Sequence, residues 1–198
     1  YGGNALLVAK EKSTSLDALI TSSTTKNLLR VFFLQERLKG FGKEAPGFIP
    51  RHVHVVGAGV MGGDIAAWCA LSGLTVTLQD QNVERIAPAI ARAAVLFEKK
   101  LRDTTAARFA LDRLIADPHG DGVRQADVII EAIFENLEAK QKLFVDLERR
   151  ARPEALLASN TSSLRLADIA RGLQQPGRLA GIHFFNPVAM MPLVEVVA

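Results

Sequence analysis

The chain has 198 residues, 48% hydrophobic and 23% charged, which suits one domain with a real core plus a modest appendage and excludes a disordered polymer. Its formal charge is only +3 and its basic residues are interleaved with acidic ones; the densest cluster, Arg149-Arg150-Ala151-Arg152, runs into Pro153-Glu154 and reads as a solvated helix end, so no nucleic-acid partner is expected. No segment approaches the roughly 20 apolar residues that span a bilayer, and the single cysteine, Cys69, sits in an apolar run, which points to a buried thiol and a reduced, intracellular compartment, the cytoplasm in a bacterium.

The chain opens on Tyr1-Gly2-Gly3 without a charged-then-apolar leader and reads as part of something longer. Residues 1 to about 47 are expected to be a linker with a connecting helix. Ser13-Thr14-Ser15 and Thr21-Ser22-Ser23-Thr24-Thr25 frame a helix predicted from Lys26 to Lys39, which Gly40 and Gly42 stop. Its Leu28, Leu29, Phe32 and Phe33 cannot be buried by this segment alone, so it is expected to pack on another domain.

From Arg51 onward strand and helix alternate. Val53-His54-Val55-Val56 is a short β-branched run, followed by glycines and a small-residue helix to about Ser72. Thr75 to Leu78 is a second strand, ending in Gln79-Asp80. The apolar residues Ile86, Ile90, Ala93, Phe97 and Leu101 recur every three or four positions, and a long helical stretch is expected from about Ile86 to Ile115. Asp127 to Ile133 is a third strand, apolar enough to be covered on both faces. A helix from Leu137 to Arg149 turns Leu143, Phe144 and Leu147 inward. Leu156 to Ser159 is a strand, Leu164 to Arg171 a short helix closed by Gly172, and Leu179 to Phe185 and Leu193 to Val197 the last strands. This alternation predicts an α/β fold, a doubly wound and mostly parallel sheet with helices on both faces.

Gly57-Ala58-Gly59-Val60-Met61-Gly62 matches G-x-G-x-x-G, directly after a strand and at the mouth of a helix. That placement suits a pyrophosphate: Gly57 permits the turn, Gly59 lets backbone approach the phosphates, and Gly62 lets helix and strand pack closely. The helix N-terminus adds free N–H donors and partial positive charge. Asp80 ends the next strand, 23 positions after Gly57. A carboxylate there accepts ribose hydroxyls and repels a 2′-phosphate, so NAD is favoured over NADP.

Further polar residues follow strands, where ligands sit in such sheets. They are Glu131 and Glu135 with Lys140, the run Ser159-Asn160-Thr161-Ser162-Ser163, and His183-Phe184-Phe185-Asn186-Pro187 with Glu195 in the last strand. His183 is expected largely out of water, and Glu195, in an apolar strand, needs a partner; the two together form a unit suited to take a proton from a substrate hydroxyl. Other readings stay open for each. His183 also fits a hydrogen-bonded core histidine, Glu195 a solvent-facing edge residue, Ser162 or Ser163 a cap on the Leu164 helix, and Glu135 a first-turn charge.

The strings GAGVMG at 57–62, EAIFENL at 131–137, SNTSSL at 159–164, GIHFFNP at 181–187 and LVEVV at 193–197 occur in that order. Together they closely resemble the 3-hydroxyacyl-CoA dehydrogenase family, over about Ile49 to Ala198. Residues 48 to 198 are therefore expected to form its NAD-binding domain, a Rossmann-like fold. The Lys26 to Lys39 segment resembles the connecting helix of multifunctional fatty-acid oxidation proteins. The resemblance implies NAD-dependent oxidation of L-3-hydroxyacyl-CoA to 3-ketoacyl-CoA in β-oxidation. His183 would be the base, Glu195 its partner, and Ser162 a contact to the substrate 3-oxygen near the nicotinamide. Gly57, Gly59, Met61, Gly62, Asp80, Glu135, Lys140 and Asn186 would line the NAD site; no metal is implied. The Ile86 to Ile115 stretch would be an arm holding coenzyme A, with Lys99 and Lys100 either at its phosphates or on a solvated face. Implied partners are the acyl-CoA substrate, an enoyl-CoA hydratase domain on the N-terminal side, a thiolase subunit, and the family's helical C-terminal domain, which would follow Ala198. Without that domain the 198 residues are expected to bind NAD and turn over acyl substrate weakly or not at all. Two alternatives remain at this point: an NADPH-dependent 3-hydroxybutyryl-CoA dehydrogenase, and a non-catalytic NAD-binding module.

Overall fold

A computed structural model describes residues 16–40, 47–191 and 193–197. The chain divides into two compact units, one ending at Phe48 and one running from Ile49. The first unit holds helices α1 (Leu16–Thr21) and α2 (Ser23–Gly40). The Ser/Thr run expected as linker is instead a helix junction: Ser22 alone interrupts, and its Oγ accepts the Thr25 amide at 3.1 Å. A serine hydroxyl meets the free N–H groups at a helix start, so a run that looks like linker begins a helix here. Phe32 and Phe33 pack edge to face at 5.6 Å and both remain exposed. The expectations for Tyr1-Gly2-Gly3, Ser13-Thr14-Ser15 and Gly42 lie outside the described residues.

In the second unit, β1 (His52–Val56), α3 (Val60–Leu71) and β2 (Thr75–Gln79) form the first β-α-β crossover. Helices α4 (Ile86–Leu101) and α5 (Thr104–Asp112) lead to β3 (Leu114–Ala116). Then follow β4 (Val128–Glu131), α6 (Leu137–Arg150), β5 (Leu156–Ser159), α7 (Leu166–Ile169), β6 (Leu179–Phe184) and β7 (Val194–Val197). The sheet order is β3-β2-β1-β4-β5-β6-β7. Every neighbouring pair is parallel except β6 and β7, which are antiparallel. The expected doubly wound, mostly parallel sheet is therefore what the chain forms.

The single helical stretch expected over Ile86 to Ile115 breaks into three elements. Arg102 adopts φ 52, which ends α4, and the Asp103 carboxylate accepts the Thr105 amide at 3.0 Å, which starts α5. Beyond α5, Leu114 is buried and pairs with Val76, adding an edge strand. The expected Leu164 to Arg171 helix shrinks to the single turn of α7, with Gly172 at φ 96 after it.

Strand alternation divides the core into two layers. Val53 and Val55 of β1, with Val76, Leu78 and Ile130, pack with Ile65 and Ala66 of α3 and Phe97 of α4. Val56, Ile129 and Leu157 face the other way, onto Phe144 and Leu147 of α6. The order of strand addition reverses about β1: β2 and β3 go to one side, β4 and the rest to the other. Such a switch point opens a crevice beyond the carboxyl ends of the strands.

Candidate active site

A cleft of about 900 Å³ opens at that place. Gly57 follows β1 at φ 109, and a Cβ there would stand 2.5 Å from the Ala132 oxygen. A Cβ on Gly62 would stand 1.8 Å from the Gly57 oxygen, so that glycine exists for helix-to-loop packing and does not face the cleft. Gly59 differs: it borders the cleft, and nothing lies within 4 Å of where its Cβ would be. It is also the N-cap of α3 and makes no side-chain cap, so no capping side chain takes up the first-turn amides beside that open space. An open, uncapped helix mouth in a glycine loop fits a pyrophosphate group.

Asp80, 8% exposed, closes the next strand and borders the same cleft. Its Oδ2 accepts the Ala58 amide at 2.7 Å and its Oδ1 the Asn82 amide at 2.8 Å. Those bonds fix the carboxylate against the glycine loop and leave lone pairs for ribose hydroxyls.

At the other end of the cleft a charged cluster is built on β4. The Lys140 ammonium, 1% exposed, contacts Glu131 Oε1 at 2.6 Å and Glu135 Oε2 at 3.2 Å. Glu131, 0% exposed, also accepts the Ile133 amide at 2.7 Å and the Ser159 hydroxyl at 2.6 Å, so no oxygen is orphaned. Glu135 reaches into the cleft. Its Oε1 receives the Thr161 hydroxyl, the Ser162 amide at 3.2 Å and the Ser163 hydroxyl at 3.0 Å. Partial burial works to raise this carboxyl, but the Thr161 hydroxyl, the Lys140 ammonium and the Ser163 hydroxyl hold it at about 2, so it stays an anion.

Beside it lies His183 of β6. Its Nδ1 is 2.9 Å from Glu195 Oε2, across the register pair His183↔Glu195 of β6 and β7. Contrary to expectation neither is deeply buried: the side chains are 25% and 53% exposed. Strand β7 is an edge strand with both faces open, and pairing with His183 holds Glu195 there although burial does not demand it.

Comparison with known proteins settles the lineage. The model of the family described as 3-hydroxyacyl-CoA dehydrogenase, NAD binding domain, matches residues 52–198. The chain belongs to the 3-hydroxyacyl-CoA dehydrogenase family. These are oxidoreductases, and the domain's cofactor is NAD. The chain is 44% identical to a probable 3-hydroxyacyl-CoA dehydrogenase of Caenorhabditis elegans, over 74% of this chain and 50% of that one. Crystallographic 3-hydroxybutyryl-CoA dehydrogenase of Escherichia coli K12 superimposes with TM-score 0.73 at 36% identity, over 76% of this chain and 33% of that one. The dehydrogenase part of multifunctional enzyme 1 from C. elegans gives TM-score 0.66 at 27% identity, over 75% of this chain and 35% of that one. The chain thus spans about half the length of the curated relative it matches, and a third of each solved chain.

The dehydrogenase cleft gathers Gly57, Gly59, Met61 and Asp80 at one end and Glu135, Ser162, His183 and Asn186 at the other. Gly62, Lys140 and Glu195 stand behind it, each touching a residue that borders it. Neither Ser162 nor Ser163 caps a helix; the Thr161 hydroxyl accepts the Leu164 amide at 3.0 Å instead. Of the two lysines considered for coenzyme A, Lys100 donates to the Ala189 carbonyl at 3.1 Å and lies 6.0 Å from the centroid of the Trp68 ring. Lys99 is exposed. Sequence reading missed Arg85, which borders the cleft beyond Asp80; an arginine five positions after that acid is a usable signal. It named Asn160 within the polar run after β5 without a role of its own; Asn160 Oδ1 accepts the Phe184 amide at 2.9 Å and ties β5 to β6, which is legible only once those strands are known to be neighbours.

Proposed function

We propose that the protein bearing this chain oxidises L-3-hydroxyacyl-CoA to 3-ketoacyl-CoA with NAD, as a step of fatty-acid β-oxidation. The carrying observation is that His183, paired to Glu195 behind it, borders the same cleft as the open glycine loop and Asp80. NAD would be held by the first-turn amides of α3 at its pyrophosphate and by Asp80 at its adenosine ribose; when bound it accepts the hydride from the hydroxyl-bearing carbon. Glu195, accepting a hydrogen bond from His183 Nδ1, orients the ring and leaves Nε2 free to take the hydroxyl proton. Ser162, fixed through its amide to Glu135, lines the same cleft and would offer its hydroxyl to the substrate 3-oxygen. The acidic floor at Asp80 disfavours a 2′-phosphate and supports NAD over NADP.

Replacing His183 by Ala in the intact enzyme is expected to lower kcat by on the order of 10²- to 10⁴-fold. NAD affinity, read by calorimetry, should stay within a few-fold. Equal loss of binding and turnover would favour a non-catalytic NAD module. Tighter binding of NADP than of NAD would favour the NADPH-dependent alternative.

A further inference from the structure

We infer that the Glu131–Lys140–Glu135 cluster sets the preference of this site between the oxidised and reduced cofactor, an inference resting on the NAD-dehydrogenase reading above. The cluster holds two carboxylates against one ammonium, with Lys140 2.6 Å from Glu131 and 3.2 Å from Glu135. It therefore carries one uncompensated negative charge. Lys140 and Glu131 are sealed from water, while Glu135 alone emerges into the cleft. There it touches Ser162, at the end of the cleft shared with His183, away from the ribose site at Asp80.

The oxidised and reduced dinucleotides have the same adenosine and the same pyrophosphate. They differ by one positive charge, which resides on the nicotinamide ring. A fixed anion at the ring end of the cleft therefore favours the oxidised form, while a charge at the adenosine end acts on both forms alike. The burial of the ion pair matters for the size of this effect. The Lys140–Glu131 pair, 2.6 Å long and out of water, is weakly screened by salt, and the net negative charge of the whole cluster, carried into the cleft by Glu135, is felt across the cleft wall. Glu135 is also kept an anion by its hydrogen bonds from Thr161 and Ser163 and by Lys140, so the charge persists over the whole working pH range. The other carboxylate near this end, Glu195, faces His183; with the imidazole neutral, as a proton acceptor must be, it adds negative charge of its own, and it is the same in both variants compared below. Glu131 is accordingly a positioning residue: it touches no ligand and acts by holding Lys140, and with it the charge balance behind Glu135.

The test is the ratio of dissociation constants, Kd(NADH)/Kd(NAD⁺), measured on this chain by calorimetry and by NADH fluorescence. Two variants are compared, Glu131→Gln and Glu135→Gln. Each removes one negative charge while conserving shape, one inside the protein and one at the cleft wall. Both are expected to lower the ratio by about four- to sixteenfold, a shift sized by a unit charge acting over roughly 10 Å at an effective dielectric of ~20 to 40. Glu135→Gln, whose side chain reaches solvent, supplies the result should the buried variant fold poorly. Equal weakening of both forms, or a ratio that does not move in Glu135→Gln, would overturn the inference. Failure of the unaltered chain to bind either form would instead overturn the dehydrogenase reading on which it rests.

Discussion

Gly57, Gly59 and Gly62 stand in one loop and answer to different constraints. An alanine at Gly57 meets both a positive φ and the Ala132 carbonyl, and at Gly62 it meets the Gly57 carbonyl. Each of those substitutions is expected to cost about 2 kcal/mol or more, visible as a fall in Tm of several degrees. Gly59 has φ −63, which any residue adopts, and open space beyond it. Gly59→Ala should therefore leave Tm unchanged and weaken NAD binding about tenfold, the equivalent of about 1.4 kcal/mol. Calorimetric titration beside a thermal melt separates the two classes; a lowered Tm with intact affinity for Gly59→Ala would contradict the assignment of that space to the cofactor. The motif's spacing in the sequence marked all three as one anion loop. Their separate roles were also legible there, and the structure adds what a side chain would meet at each: backbone carbonyls at Gly57 and Gly62, open space at Gly59.

At the level of elements, β1 carries a second buried polar group whose behaviour is measurable. His54, fully buried, bonds Thr77 Oγ1 at 2.8 Å and Gln79 Oε1 at 3.0 Å, beneath the loop that joins β3 to β4. Burial pushes its imidazole down to about 4, so the fold favours the neutral ring. The unfolded chain then binds more protons between pH ~6.5 and 4, and stability falls as pH drops through that window, by an amount on the order of 3 kcal/mol. Thermal melts from pH 7.5 to 4.5 should show the decline, and His54→Gln should flatten it; an unchanged slope in the variant would rule His54 out as its source. None of this was legible in Val53-His54-Val55-Val56, because alternation says which face a residue is on and not what covers that face. Strand β3 was hidden for a related reason. The apolar period of α4 continues into α5 and up to Leu114, and neither the turn at Arg102 nor the cap at Asp103 interrupts it with a glycine or proline. Elements bounded by glycine loops, such as β1, α3 and β2, could be read nearly to the residue.

For the molecule as a whole, alternating strands and helices were enough to foresee the doubly wound sheet, and the carboxyl ends of its strands were enough to foresee where polar residues would converge. What the sequence did not convey was depth. Lys140 came to notice as a cofactor contact, yet it is enclosed by Glu131 and Glu135, because a lysine's burial depends on what the fold brings over it and not on its neighbours in the chain. For Glu195 the sequence left an apolar setting and a solvent-facing edge both open, and the structure gives the edge, because β7 reverses direction and ends the sheet. Residues Leu193, Val194, Val196 and Val197 are exposed along that edge.

The reversal of β7 leaves the His183–Glu195 pair, proposed above to accept the proton, dependent on strand alignment. Side chains alternate along a strand, so sliding β7 by one position past β6 would turn Glu195 to the opposite side of the sheet and set a valine before His183. Removing Leu193 should force that slide and abolish turnover while dinucleotide affinity survives, since the glycine loop and Asp80 sit on other strands. Undiminished turnover after the deletion would mean that the imidazole works without its carboxylate. The pairing of His183 with Glu195 is in that sense staked on the fit of the outermost ribbon, the part of a sheet with fewest neighbours to hold it in step.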